Sequence, residues 1–121
     1  MSKNITIILS THNEELSIDH TISELIKHIK DVEIVVVDDN SPDATLEILR
    51  KINYAKLKIF SREKNKGLAS AFLLGLINSS GDIIGWLDSN MGTLAIKFPE
   101  MISKLDNADI VLLSRYVSGG R

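Results

Sequence analysis

The 121-residue sequence contains no cysteine. That absence excludes a disulfide framework and thiolate metal sites, and it suits a reducing, cytoplasmic setting. A surplus of either charge is also missing: 14 Lys and Arg face 16 Asp and Glu, for a net charge of −2. So balanced a chain gives no electrostatic reason to bind a polyanion, and nucleic acid is not an expected partner. No apolar run approaches the ~18 residues of a membrane span, and Met1–Asn4 lead into a run too short for a signal peptide. Internal repeats and low-complexity segments are lacking too. What remains is ordinary globular composition, 44% hydrophobic and 25% charged. A single domain of this length buries roughly two-thirds of its unfolded surface.

The richest stretch is Ile34-Val35-Val36-Val37-Asp38-Asp39-Asn40-Ser41-Pro42-Asp43. Four β-branched residues in a row predict a strand buried on both faces, with carboxylates at its carboxyl end. That end is where open α/β sheets bind ligands. In all, apolar runs predict strands at Ile5–Leu9, Glu33–Val37, Leu57–Phe60, Ile83–Leu87 and Ile110–Leu113. Ile18, Ile22, Leu25, Ile26 and Ile29 fall at helical spacing, with Lys27 and Lys30 near the helix end. A second helix is expected after Ser41-Pro42-Asp43, with Pro in its first turn. A third carries Leu68, Phe72 and Leu76 beside the small Ala69, Ala71 and Gly75, which permit close approach to a sheet. A fourth contains Pro99, Met101, Ile102 and Leu105. The alternation predicts an α/β fold: a Rossmann-like, doubly wound, mostly parallel sheet of about five strands. Strands two, one and four should be neighbours, with the switch point between one and four.

The chemistry-bearing residues gather after these strands. Thr11, Asn13, Glu14 and Glu15 follow the first and fit either a helix capping box or a polar lip against a base or ribose. Asp38 and Asp39 are hard to explain as packing, because buried carboxylates are costly unless paired. They suit a metal, ribose hydroxyls or base N–H groups; Asp43 reads as a helix N-terminal charge. Ser61-Arg62-Glu63-Lys64-Asn65-Lys66-Gly67 is either a solvated loop or a basic lip near a diphosphate, with Gly67 admitting close backbone approach. Asp88 and Asn90, two apart at a strand exit, project the same way like a D-x-D clamp for Mg²⁺ or Mn²⁺. His12, His20 and His28 are spaced too widely for a helical metal pair and read as solvated.

Taken in order, these motifs resemble the amino-terminal half of a family 2 glycosyltransferase of the GT-A fold. The likeness is nearest to the dolichyl- or polyprenyl-phosphate mannose and glucose synthases. It rests on Thr11-His12-Asn13-Glu14-Glu15, Val36–Asp43, Arg62–Ala71, Ser80-Gly81-Asp82, and Ser114-Arg115-Tyr116 with Gly119-Gly120. The resemblance implies inverting transfer of mannose or glucose from GDP-mannose or UDP-glucose to a polyprenyl phosphate, with a divalent metal on the diphosphate. It implies that Asp39 contacts base or ribose with the Asn13-Glu14 turn beside it, that Asp88 serves metal and diphosphate, and that Arg115 grips the acceptor phosphate. Asn65 and Gly67 fall in the motif's nucleotide-facing loop. Asn90 replaces the family's second D-x-D aspartate, which removes one charge from the clamp.

The sequence stops just past the fifth apolar run, with no helix to cover it. The expectation is a truncated 1–121 nucleotide-sugar-binding half, self-associating through Ile110–Leu113. Membrane association would then come only from the lipid acceptor or from a missing carboxyl-terminal region. Two other readings compete. One is a nucleotide-binding module with weak or no turnover, favoured by Asn90. The other is a response-regulator receiver domain, whose acidic pair should follow the first strand and phosphoacceptor aspartate the third; here the pair follows the second and Ser61 the third.

Overall fold

Four of the five apolar runs form strands in the computed structural model, which describes residues 3–63 and 67–111. Strands β1 (Ile5–Thr11), β2 (Glu33–Asp39), β3 (Leu57–Arg62) and β4 (Ile83–Asp88) lie in one parallel sheet of order β3-β2-β1-β4. The first two crossovers step one way and the third returns past β1. The switch point therefore falls between β1 and β4, as the sequence predicts.

Both faces are covered, which explains strands without polar alternation. On one face Ile5, Ile7, Leu9, Ile34 and Val36 pack against Ile18, Ile22 and Leu25 of helix α1 (Ile18–His28). Leu49 of α2 (Thr45–Arg50) and Phe98 of α4 (Phe98–Lys104) complete that core. On the other face Ile8, Val35 and Val37 are fully buried near α3 (Leu68–Ile77). At Gly75 a Cβ would stand 2.5 Å from Cγ2 of Ile8, so glycine lets α3 settle on the sheet. Ala71 is buried as well, whereas Ala69 faces outward.

Two expectations are corrected, and one element is new. The fifth run is not a strand where it is described: Ile110 and Val111 lie outside any element, and Ile110 is exposed. Leu112 and Leu113 lie outside the described residues. The second helix begins at Thr45 and not at Ser41-Pro42-Asp43, because side chains of that turn hold backbone groups of another loop. A 3-10 turn, Gly92–Lys97, also precedes α4, where the sequence shows no helical stripe. Among the described residues no helix is long and apolar enough to cross a membrane.

Candidate functional site

β1 and β2 run two residues further than their apolar cores, so Thr11, Asp38 and Asp39 end strands and are not loop residues. Register then sets them in a row across the carboxyl edge: Arg62 opposite Asp39, Asp38 opposite Thr11, and Ser10 opposite Asp88. With strands ~4.8 Å apart and a rise of ~3.3 Å per residue, and with Asp39 two residues further along than the level of Asp88, the two backbones lie roughly 12 Å apart. Both expected acids therefore share one edge.

The two acids of β2 project to opposite faces and have different partners. Asp38 is fully buried; its Oδ2 accepts the Ser41 N–H at 3.0 Å and its Oδ1 the Ser41 hydroxyl at 2.5 Å. These bonds compensate a buried carboxylate and close the tight turn from Asp38 to Ser41, in which Asn40 takes a left-handed φ of 54° that asparagine tolerates. Asp39 is held from the neighbouring strand: Arg62 donates from Nε to its Oδ1 at 2.5 Å. Arg62 also donates from Nη1 to Ser70 Oγ at 2.8 Å and from Nη2 to the Gly67 carbonyl at 3.3 Å. The guanidinium thus ties β2 to the start of α3.

The turn after β1 has no capping box, since α1 starts only after Ser17. Asn13 takes a left-handed φ of 56°, and three successive N–H groups point into the β2–α2 loop. Asn13 donates to Ser41 Oγ at 2.9 Å, Glu14 to Thr45 Oγ1 at 3.0 Å and Glu15 to Asp43 Oδ2 at 3.3 Å. Asp43 is more than a helix-end charge, because its Oδ1 also accepts the Thr45 N–H and hydroxyl. Desolvation would raise its pKa, but the Thr45 and Glu15 hydrogen bonds outweigh it and hold the carboxyl below its usual value. His12 is not simply solvated: Nδ1–H donates to the Asp39 carbonyl at 2.6 Å, leaving Nε2 to accept from Asn13 Nδ2 at 3.3 Å.

At the end of β4 the chain is clamped while its polar groups stay free. The Thr21 hydroxyl donates to the Ser89 carbonyl, and Gly92 sits so close to Thr21 that a Cβ would meet its Cα at 2.7 Å. Ser89 is buried; Asp88 and Asn90 on either side of it are exposed, as alternation at a strand exit requires. Among the described residues the Asp88 carboxylate and the Asn90 amide have no hydrogen-bond or ion-pair partner. Among the described residues one buried side-chain group is likewise unmatched, Thr11 Oγ1.

Gly67 has a φ of 92°, which favours glycine, and open space where a Cβ would be. Asn65 and Arg115 lie outside the described residues. No cluster of three His, Asp or Glu among the described residues could hold a metal alone. Asp88 with Asn90 is instead a two-oxygen set of the kind Mg²⁺ or Mn²⁺ completes with substrate phosphates and water, so the residues fit such an ion. Sequence reasoning missed how Arg62, Ser41 and Thr45 are used. Aligning the strand ends in parallel register would have revealed Arg62, which faces Asp39 directly.

Comparison with known proteins gives a consistent result. The sequence model described as glycosyl transferase family 2 matches residues 6–121. A dolichol-phosphate mannosyltransferase of Pyrococcus furiosus is 34% identical over 97% of this chain and 34% of its own length. Glucosyl-3-phosphoglycerate synthase of Mycobacterium tuberculosis, solved with Mn²⁺, UDP and glucosyl-3-phosphoglycerate, shows 26% identity and a TM-score of 0.68 over 86% of this chain and 40% of that one. A mannosyltransferase of Pyrobaculum calidifontis, in complex with GDP-Man and Mn²⁺, has a TM-score of 0.75 over 91% of this chain and 34% of that one; at 22% identity it speaks for the fold alone. The chain spans about a third of the length of the curated relatives it matches.

Proposed function

The chain belongs to glycosyl transferase family 2, and from that premise we propose that it is the nucleotide-sugar-binding part of an inverting enzyme that moves mannose or glucose to a polyprenyl phosphate. One observation carries the reading. The edge presents at Asp88 an exposed carboxylate with no partner among the described residues, two strands away from an Asp39 already fixed by Arg62. A structural module would have no use for that pairing of a set acceptor with an idle charge. The 34% identical dolichol-phosphate mannosyltransferase supports the lipid-phosphate acceptor.

In this reading Asp39 accepts a hydrogen bond from base or ribose. Thr11, Asn13 and Glu14 form the wall beside it, Asp38 holds that wall in shape, and Asn65 and Gly67 border the diphosphate. Asp88 and Asn90 would hold Mg²⁺ or Mn²⁺, which when bound offsets charge on the leaving nucleoside diphosphate. A phosphate monoester with a second pKa of ~6 reaches the site already ionised, so no strong protein base is needed. The protein's share is positioning and electrostatic stabilisation, with Arg115 gripping the acceptor phosphate.

Asn90 favours a second reading, a binding module that turns over little, because a neutral amide leaves the clamp one charge short. Calorimetric titration with GDP and UDP, with and without Mn²⁺, tests binding; transfer of labelled sugar to a polyprenyl phosphate tests turnover. Metal-dependent binding that disappears in Asp88→Ala is the expected result. No nucleotide binding by the folded chain would refute both readings.

A further inference from the structure

We infer that the outer face of α3 is the interface of a two-fold dimer, in which α3 of each copy lies over β4 of the other. The other three helices carry exposed charge: Asp19 and Lys27 in α1, Glu47 and Arg50 in α2, Glu100 and Lys104 in α4. Helix α3 has no charged residue from Leu68 to Ile77, and Ser70 is its one polar side chain. A helix apolar on every side belongs in an interior. Here Ala71 and Gly75 face the sheet, and on the opposite side Leu73 and Ile77 are 55% and 71% exposed.

A seat for a second helix lies beside it. Helix α3 crosses β1 and β2. Ile84 and Trp86 of β4 turn to that same face, where Trp86 meets Phe72 at 4.8 Å, whereas Gly85 turns towards Ile7 on the other. Helices α1, α2 and α4 all pack on the Ile7 face, so among the described residues α3 is the helix of the Trp86 face. Ile84 is left half-buried and Trp86 43% exposed. With strands ~4.8 Å apart, β4 lies roughly 7 Å, and its outer edge roughly 10 Å, from the line beneath α3. Packed helices stand about 8–10 Å apart, so the bare strip is one helix wide.

A second copy fills it. A two-fold axis along the strands lays each α3 on the other copy's strip, runs the two helices parallel and sets Leu76 beside its own counterpart. Such a contact is self-complementary and closes at two copies. Neither α3 nor Ile84–Trp86 brings a charge into it. Leu73, Leu76, Ile77 and Trp86 leave on the order of 400 Å² open, about half of the ~800 Å² that each partner gives a standard interface. Phe72 and Ile84 add to that area. It suits a reversible dimer with a dissociation constant on the order of 10 μM.

Sedimentation of the 121-residue chain over a concentration series tests this, read together with the emission of Trp86, its only tryptophan. We expect the mass to double and the emission to shift to the blue over the same range. Leu73→Lys should weaken association at least tenfold and abolish the shift, whereas Leu16→Lys, at a 98% exposed leucine away from α3, should change neither. Because the chain has no cysteine, Leu76→Cys offers a second reading: mild oxidation should link two copies through that one position. A monomer at millimolar concentration overturns the inference. So does a doubled mass with unmoved Trp86 emission, association that survives Leu73→Lys, or an open-ended assembly. None of these outcomes bears on the proposed function, which nucleotide titration tests separately.

Discussion

The two ends of one sheet are built on opposite rules. At the amino end Glu33, the first residue of β2, is closed within the protein: Oε1 accepts the Thr6 hydroxyl at 2.7 Å and the Ser80 N–H at 2.8 Å. Its Oε2 accepts the Ser80 hydroxyl at 2.8 Å and pairs with Lys58 at 3.0 Å. Gly81 completes that joint, donating its N–H to Thr6 Oγ1 where a Cβ would stand 2.7 Å from the Thr6 nitrogen. At the carboxyl end Asp88 and Asn90 are exposed and unmatched, and Thr11 Oγ1 is buried and unmatched, among the described residues. One end uses its acid to fasten the fold, and the other keeps an acid in reserve. The Ser80-Gly81-Asp82 motif, one of those that carry the family resemblance, thus has a structural account in this fold.

Substitutions that separate binding from stability test this contrast most severely. Asp88→Ala should lower Mn²⁺-dependent nucleotide affinity roughly a hundredfold, since the ligands of an ion matter at least as much as their outer partners. Its melting temperature should barely move, because the side chain is exposed and unpartnered among the described residues. Glu33→Ala should do the reverse, costing about 2–3 kcal/mol in a denaturant titration while the affinity of the folded fraction holds. Gly81→Ala belongs with it, at about 1–3 kcal/mol, because the clash is with backbone that cannot yield. An Asp88→Ala protein that unfolds, or a Glu33→Ala protein that loses nucleotide while stable, would erase the distinction between the ends.

Acid should sharpen it. Burial would raise the Glu33 pKa, but the Ser80 N–H, Thr6, Lys58 and Ser80 hydroxyl outweigh it and hold the carboxyl at about 2 against an ordinary 4.5. A depressed folded-state value means stability that is complete above pH 4.5 and lost as pH falls towards 2. Asp43 contributes in the same direction below its ordinary 3.8. Thermal melts across that range should fall steeply for the wild type and more gently for Glu33→Gln, whose uncharged amide has no such titration.

The smallest expected effects are at the surface. Asn90→Asp should tighten Mn²⁺-dependent binding a few-fold by restoring the clamp's missing charge. Trp86 packs against Phe72 with ring centroids 4.8 Å apart, and Leu73, Leu76 and Ile77 of the same helix α3 are exposed. That apolar face should promote self-association, which sedimentation of Ile77→Lys would show as reduced.

Much of this is legible in the chain because buried parallel strands leave a one-dimensional trace. Runs without alternation, Ile34–Val37 above all, mark β1 and β2, and small residues mark the sheet side of α3 at Ala71 and Gly75. The fifth run has the same trace, yet Ile110 and Val111 are not in a strand, since an apolar stretch becomes a strand only where a partner pairs with it. The Ser41–Asp43 turn misleads for a related reason. A Ser-Pro-Asp sequence suits a helix start, but here the donors it serves belong to Asn13 and Glu15, far away in sequence.

By itself, then, the sequence determined the parallel α/β class, the strands' faces and the acids at the carboxyl edge, all of which depend on local periodicity and composition. Only the tertiary structure decided which acid is idle and which is engaged. Asp38, Asp39 and Asp88 carry the same carboxylate, and what separates them is the Ser41 turn, the Arg62 fork and open solvent. Those partners come from other strands and loops, and their distances exist only once the sheet has formed.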